Sequence, residues 1–245
     1  MKLVLTVFTI ILSLNAADAA FSSRRDIKYK TFFGKCPSRV AGSLVLKLTK
    51  LFEETHSLKE LKLKIVQEKL KEKHFLSDYQ IEFDPGSSTL SYKFECPDPL
   101  MKVVIYKENG VDTYEALLAE NGDLLDPTLE VILRSEQKLS GTLPYLALPI
   151  GNFDKKDQLK IAKLFSKAPE GIRSKLSEVI LDDSGEMTLI MALGDSPTSI
   201  FLGDNDWDLK IEKLKKVVDY METKKKFPSI INLLNAQKVV VKFNN

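Results

Sequence analysis

The chain has 245 residues, of which 44% are hydrophobic and 29% are charged, a composition typical of a globular protein with one or two cores. Its 36 lysines and arginines nearly balance its 34 aspartates and glutamates, and the net charge is +2. This balance gives no reason to expect a nucleic-acid partner, which would require a strongly basic surface.

The first 20 residues are predicted to direct export. Lys2 gives a minimal positive start, Leu3 to Leu14 form an apolar run, and Ala17 to Ala19 offer small residues at the spacing of a cleavage site. The run is shorter than the roughly 20 residues that a membrane-spanning helix needs. We therefore expect residues 1–20 to be a cleaved signal peptide rather than a short retained membrane anchor, and the remaining chain to be exported.

Export makes the two cysteines informative, because disulfides persist outside the cytosol. Cys36 follows the first predicted strand, and Cys96 ends the third. A bridge between them would tie together the two ends of the first unit, and we predict this disulfide. Two buried free thiols are the alternative.

Residues 21–97 are predicted to form a unit with the order strand, helix, helix, strand, strand. Alternation predicts the first strand at 27–33. Apolar residues at three-to-four-residue spacing predict a helix that begins near Ser38, which we expect to be its N-cap. A second helix follows, with Ser57 as its expected N-cap and Glu60 at the matching third position, and two alternating segments within 79–94 complete the unit.

Pro97 ends the first unit, and residues 98–245 are predicted to form a second, β-rich one with packed helices. Two strands are expected within 101–119. The pattern then weakens, and we expect a short strand near 130–133 followed by a loop. A helix capped by Asp154 leads to the last third of the chain.

The last third, from Leu176, is predicted to form an antiparallel sheet covered by one helix. The helix has a clean apolar stripe that begins at Trp207, and the chain stops soon after its last apolar strand. A terminal strand has unpaired backbone groups along one flank, so this edge is the predicted working surface. The residues expected at the edge are Ile230, Ile231, Asn232, Leu233, Lys238, Val239, Val240, Val241 and Lys242. The predicted fold class is α+β.

Local patterns that resemble catalytic or metal sites are incomplete. His56 and His74 are isolated, which does not suit a zinc site. Ser135 and Lys138 match the Ser-x-x-Lys of penicillin-recognising enzymes, but the companion motifs are missing. Residues 204–208 resemble the start of a calcium loop without its required glycine, and helix capping explains their carboxylates better. We therefore predict no enzymatic activity, no metal and no cofactor. A periplasmic hydrolase would need a nucleophile and a base that the sequence does not offer.

Four phrases of the chain resemble the passages of one known family. They are FLSDYQIEFDPGSSTLSYKFECPDPLMKVV, which spans the end of the first unit, LLAENGDLLDP, LSEVILDDSGEMTLIMALGDSPTSIFLGDNDWDLKIEKLKKVV and SIINLLNAQKVVVKF. They resemble the FtsQ/DivIB family of bacterial cell-division proteins. The first is similar to the family's passage of two strands and a turn that ends in Glu-Arg-x-Pro, and the second to a family turn, with Gly122 in the glycine place. The third carries the strongest likeness, and the fourth resembles the closing strand pair, although Asn232, Leu234 and Lys238 stand where the family has Asp, Arg and Gly.

The resemblance implies a POTRA-like domain at 21–97 and a β domain at 98–245. It also implies a scaffold of the septum-building machinery, at the periplasmic face of the inner membrane, with no catalytic activity. Family members bind FtsB and FtsL, and FtsB adds a strand beside the closing strand.

We accordingly expect the C-terminal edge to bind an FtsB/FtsL-like partner by strand addition, and the POTRA-like domain to serve recruitment. Lys238 and Lys242 would complement an acidic partner segment, and a proline at Val240 would abolish binding. The alternative is an exported carrier of a small molecule or lipid, with an apolar cavity in the second domain.

Overall fold

The computed structural model describes residues 27–106, 113–149, 154–235 and 237–243. This part of the chain forms helices and two sheets, one of three strands and one of nine. The predicted α+β class is confirmed. The predicted export segment at 1–20 lies outside the described residues. Within them, no helix is both long enough and apolar enough to cross a membrane.

The N-terminal unit, residues 27–97, contains the predicted order of elements with one additional helical turn. The three strands follow the order β1-β3-β2, with β1 parallel and β2 antiparallel to β3. The elements are β1 Lys28–Phe32, α1 Ser38–Thr55, α2 Leu58–Gln67, α3 Leu70–Lys73, β2 Asp78–Asp84 and β3 Thr89–Glu95.

The core of the N-terminal unit lies between α1, α2 and one face of the sheet. Alternation along β3 buries Tyr92 and Phe94, and the helical spacing of α1 buries Leu44 and its neighbours against them. Cys36 and Cys96 lie in the same cluster and are joined by a disulfide. The bridge connects Cys36, two residues before α1, with Cys96, the residue after β3.

The helix caps of this unit agree only partly with the sequence prediction. Ser57 caps α2 as predicted, since its hydroxyl accepts a hydrogen bond from the Glu60 N–H at 3.3 Å. The predicted cap of α1 is wrong, because Pro37 occupies the N-cap position and Ser38 is the first helical residue. The start of α1 is instead bound by side chains of the C-terminal unit, as described below.

The C-terminal unit, residues 98–243, is built on the nine-stranded sheet, whose order is β12-β11-β10-β9-β8-β7-β4-β5-β6. Its elements are β4 Pro99–Tyr106, β5 Thr113–Ala119, β6 Leu124–Leu125, α4 Thr128–Ser135, β7 Tyr145–Pro149, α5 Lys155–Lys167, α6 Glu170–Arg173, β8 Leu176–Leu181, β9 Met187–Leu193, β10 Ser196–Gly203, α7 Trp207–Lys224, β11 Ile230–Asn232 and β12 Val240–Lys242.

This sheet is mixed, whereas the sequence had predicted an antiparallel one. β7 is parallel to both β4 and β8, and β11 is parallel to β10. Helices lie on the connections that enter β7, β8 and β11. Parallel neighbours need such crossover connections, whereas a tight turn produces antiparallel ones.

The predictions for 127–149 were also wrong in detail. The strand expected near 130–133 is part of helix α4, which buries Leu129 and Leu133 one helical turn apart. The segment expected to be a loop contains β7, an inner strand of the sheet. β7 is buried as a short apolar run, so it lacks the alternation that marks a strand with one exposed face.

Helix α7 covers the sheet with the predicted stripe. The stripe residues are all buried and are Trp207, Ile211, Leu214, Val218 and Met221. The Lys160 ammonium of α5 lies 3.5 Å from the centroid of the Trp207 ring and connects the two helices.

Asp154 caps α5 as predicted. Asp206 occupies the N-cap position of α7 and Asp208 lies in its first turn, so carboxylates lie at the positive end of this helix as predicted, although Asp206 makes no side-chain capping bond.

Candidate partner-docking edge

β12 forms one outer edge of the nine-stranded sheet, with β11 as its neighbour. The Lys242 carbonyl accepts a hydrogen bond from the Ser229 N–H at 2.9 Å, so the backbone groups of Lys242 face β11. Backbone groups alternate in direction along a strand, so those of Val240 also face β11 and those of Val241 face outward. Val241 therefore presents one N–H donor and one carbonyl acceptor at the open edge.

The structure differs from the sequence prediction for residues 230–233. β11 pairs with β10 on one side and with β12 on the other, and both Ile231 and Leu233 are fully buried. These residues therefore lie inside the sheet and cannot receive another strand. The edge is formed by β12, Val240–Lys242, and the predicted edge residues Lys238 and Val239 lie just before this strand.

The side chains of the edge divide between core and solvent. Val239 and Val241 are partly buried against the main core, while Val240 is 51% exposed. Lys238 and Lys242 are exposed, and neither forms an ion pair with another residue that the structure describes. The edge thus combines an apolar inner side with two exposed positive charges.

A groove of about 330 Å³ lies beside the end of this edge, lined in part by Leu193, Lys226, Phe227 and Phe243. The two phenylalanines are partly exposed. Gly194 has a φ of +66°, and a Cβ there would lie 2.5 Å from Phe227 Cδ2. Glycine is therefore required for Phe227 to keep its place in this lining, which also contains the polar residues Asp195, Ser196 and Ser229.

Lys210 anchors the end of β10 close to the residues that follow β11. It is 1% exposed, and its Nζ donates to the Leu202 carbonyl at 2.7 Å and to Asn205 Oδ1 at 3.0 Å. A Cβ on Gly203 would lie 3.0 Å from Leu234 Cδ2 and 3.8 Å from Lys210 Nζ. This packing holds β10, α7 and the chain after β11 together.

The sequence prediction did not identify Lys210, although its spacing carried a signal. It lies three residues after Trp207 and four before Leu214, so it belongs to the buried stripe of α7. A lysine at such a position must satisfy its ammonium group inside the protein.

Replacing Lys210 with methionine should lower the free energy of unfolding by about 2–3 kcal/mol, because the Leu202 carbonyl loses a charged donor. Urea unfolding measures this change. Lys216→Met is the control, since Lys216 is exposed on the same helix. Equal effects of the two substitutions would show that Lys210 has no anchoring role.

Ser135 and Lys138, the two residues of the Ser-x-x-Lys pattern, bind different partners. The Ser135 hydroxyl donates to the Ile132 carbonyl at 2.7 Å, whereas Lys138 Nζ binds the Cys36 carbonyl and Ser38 Oγ. The serine and the lysine are thus not arranged as nucleophile and base. In the part of the chain that the structure describes, no three His, Cys, Asp or Glu residues are grouped so that they could hold a metal ion.

The carrier alternative required an apolar cavity in the second unit. A cavity of about 450 Å³ does lie within the C-terminal unit, and its lining mixes apolar residues such as Leu100, Met101 and Phe165 with the charged Glu170 and Arg173. A larger cavity, of about 720 Å³, lies at the junction of the two units, and its lining includes Lys35, Asp98, Glu120 and Arg173. A third, of about 410 Å³, is lined in part by Asp182, Asp183 and Asp204. Charged groups in these linings do not favour a lipid, and the small-molecule carrier stays a prediction.

The fold and the edge define a class of protein: an α+β protein of two units, whose larger sheet ends in an open strand with exposed lysines. The family model for the C-terminal part of the cell division proteins FtsQ/DivIB matches residues 106–234, more than half of the chain. The chain belongs to the FtsQ/DivIB family, as the sequence resemblance predicted, and is therefore a cell-division protein.

A solved structure also matches, that of the major extracytoplasmic domain of the bacterial cell division protein DivIB, trans isomer, from Geobacillus stearothermophilus. The two are 15% identical, the match covers 51% of this chain and 96% of that one, and the TM-score is 0.30. A comparison with curated protein sequences gives no match.

Proposed function

We propose that the protein is a non-enzymatic scaffold of septum formation that binds other division proteins by strand addition at β12. The observation that carries this proposal is the open edge at β12, with the outward N–H and carbonyl of Val241. Membership of the FtsQ/DivIB family supports a role in division. The matched range ends at Leu234, so the proposed role of β12 rests on its geometry and on the sequence resemblance.

In the proposed complex, an extended segment of an FtsB-like protein, itself paired with FtsL, lies alongside β12 as an additional strand. Backbone hydrogen bonds supply much of the affinity in this binding mode, and side-chain contacts supply the specificity. Lys238 and Lys242 favour an acidic segment, because opposite charges steer the encounter and fix the register. The groove between Phe227 and Phe243 accepts an apolar side chain of that segment.

The proposed site of action is the periplasmic face of the inner membrane at the division site. The export signal expected at 1–20 supports this location, whether it is cleaved or retained as an anchor. The N-terminal unit then serves recruitment to the septum, while β12 binds the partner.

A fluorescent fusion to the full chain should give bands at midcell in dividing cells, because a division scaffold is concentrated at the septum. Fluorescence microscopy measures the distribution. The control is the same fluorescent protein exported by residues 1–20 alone, which should spread around the envelope. An even envelope signal from the full fusion would contradict the proposal and favour a carrier.

A further inference from the structure

Helix α1 begins without a cap of its own. Pro37 occupies the N-cap position and makes no side-chain capping bond, and the first turn contains no acidic residue. Arg39 even adds positive charge there. The start of a helix exposes unpaired N–H groups and the positive end of the helix dipole, so this end needs an external acceptor.

Glu136 of the C-terminal unit supplies that acceptor. Its Oε2 accepts from the Ser38 N–H at 2.7 Å, and its Oε1 accepts from the Arg39 N–H at 3.0 Å. Its side chain is 18% exposed, so solvent competes weakly for these bonds. One carboxylate from the C-terminal unit thus caps a helix of the N-terminal unit.

Lys138 completes the contact from the same loop. Its Nζ lies 3.3 Å from Glu136 Oε2 and donates to Ser38 Oγ at 2.9 Å and to the Cys36 carbonyl. Burial alone would raise the pKa of Glu136, but the Arg39 and Ser38 N–H groups and Lys138 outweigh it and hold that pKa below its ordinary value. The cap is therefore an ionised carboxylate at neutral pH.

The backbone that receives this pair is held on both sides of the junction. The disulfide joins Cys36, which lies just before α1, to Cys96, which lies just before the connecting segment. Within that segment Asp98 forms an ion pair with Lys35. The Asp98 carbonyl also accepts from the Glu120 N–H at 2.9 Å. The connection between the units is thus bonded to each of them.

Apolar contact reinforces the junction. Phe75, in the turn between α3 and β2, packs with the buried cluster that contains Leu117, Leu129 and Leu133. Leu129 and Leu133 belong to α4, which ends immediately before Glu136. The packing of α4 therefore fixes the position of Glu136 relative to the start of α1.

We propose that Glu136 and Lys138 are positioning residues that lock the two units in one relative orientation, with the Cys36–Cys96 bridge holding the backbone that receives them. β5 and β6, against which α4 packs, lie at the opposite end of the sheet from β12. Eight strand spacings separate the two edges, or about 38 Å at about 4.8 Å per spacing. The lock therefore holds the N-terminal unit at a set distance and angle from the β12 edge. Only the meaning of that distance for recruitment rests on the proposed function.

Pulsed electron paramagnetic resonance on the full chain, with the native disulfide intact, tests the lock. Spin labels are placed at exposed Lys62 on α2 and exposed Lys163 on α5, one in each unit. The unmodified background should give one narrow distance distribution. The Glu136→Ala/Lys138→Ala double variant should give a distribution at least about twofold wider, because the Phe75 contact and the bonds of the connecting segment remain but no longer fix the start of α1 to the C-terminal unit. Lys215→Ala/Asp219→Ala is the control, since it removes an ion pair within α7 and should leave the distribution narrow.

Hydrogen exchange in the same variants separates loss of the lock from general unfolding. The first-turn amides at Ser38 and Arg39 should exchange about tenfold faster in the Glu136→Ala/Lys138→Ala variant, because they lose their acceptor. Amides in the middle of α1, such as that of Leu48, should be unchanged. An unchanged distance distribution, or an equal acceleration along the whole of α1, would overturn the proposal. Neither measurement depends on a division partner, so failure of the lock and failure of the proposed function remain distinguishable.

Discussion

Replacing Val241 with proline is expected to weaken binding of the FtsB-like partner from the same organism by at least about 100-fold, or about 3 kcal/mol. Proline has no N–H, and its ring lies where the added strand must approach. The Val241 backbone faces away from β11, so the substitution removes no hydrogen bond between β12 and β11. Biolayer interferometry with the immobilised partner measures the loss.

Val241→Thr is the matched control, because threonine keeps both the N–H and the β-branched shape that suits a strand. It should bind within about threefold of the unmodified chain. Undiminished binding by Val241→Pro, with the protein folded by circular dichroism, would rule out strand addition at β12.

The structure moves this test from Val240, where the sequence had placed it, to Val241. The Val240 backbone faces β11, so a proline there removes a bond within the sheet and weakens β12 itself. A loss of binding by Val240→Pro would therefore not distinguish a blocked edge from a disrupted strand. The choice depends on the direction of individual backbone groups, which the apolar pattern of 238–242 does not contain.

Local periodicity predicted an element correctly where that element buries one of its own faces. The spacing of Trp207, Ile211 and Leu214 predicted α7 and its packing, and alternation predicted β2 and β3. Periodicity could not predict the order of the strands in the sheet. β11 and β12 have three residues each, and their sequence patterns do not show which one lies at the edge. β11 lies inside the sheet because α7 carries the chain to a parallel position beside β10, and β12 is outside because it returns by a turn.

The contacts at the junction could not be predicted from sequence for a different reason. Glu136 caps a helix that begins 98 residues earlier in the chain, and its neighbours fit an ordinary helix end equally well. Ser38 has the residue type of an N-cap, so local preference placed the cap there. The relative position of the two units brings Glu136 and Lys138 to the start of α1. Glu136 accepts from the N–H groups there, and Lys138 binds the Ser38 hydroxyl. Local preference could not anticipate an acceptor supplied by another unit.

Replacing both Cys36 and Cys96 with alanine is expected to lower the free energy of unfolding of the N-terminal unit by about 4 kcal/mol. The bridge closes a loop with a sequence separation of 60, and the loss of this constraint increases the entropy of the unfolded chain by about that amount. Alanine is preferable to serine because both positions are buried, and a buried hydroxyl would need a new partner.

Two signals locate this effect within the chain. Trp207 is the only tryptophan and lies in the C-terminal unit, so its fluorescence follows unfolding of that unit. Far-ultraviolet circular dichroism follows both units. In urea, the double variant should lose part of its dichroism at a lower urea concentration than the unmodified chain, while the Trp207 midpoint changes little.

Alkylation of the unmodified, non-reduced protein, followed by mass spectrometry, should find both thiols protected. Two alkylated thiols, or a shift confined to the Trp207 signal, would contradict a bridge that stabilises the N-terminal unit.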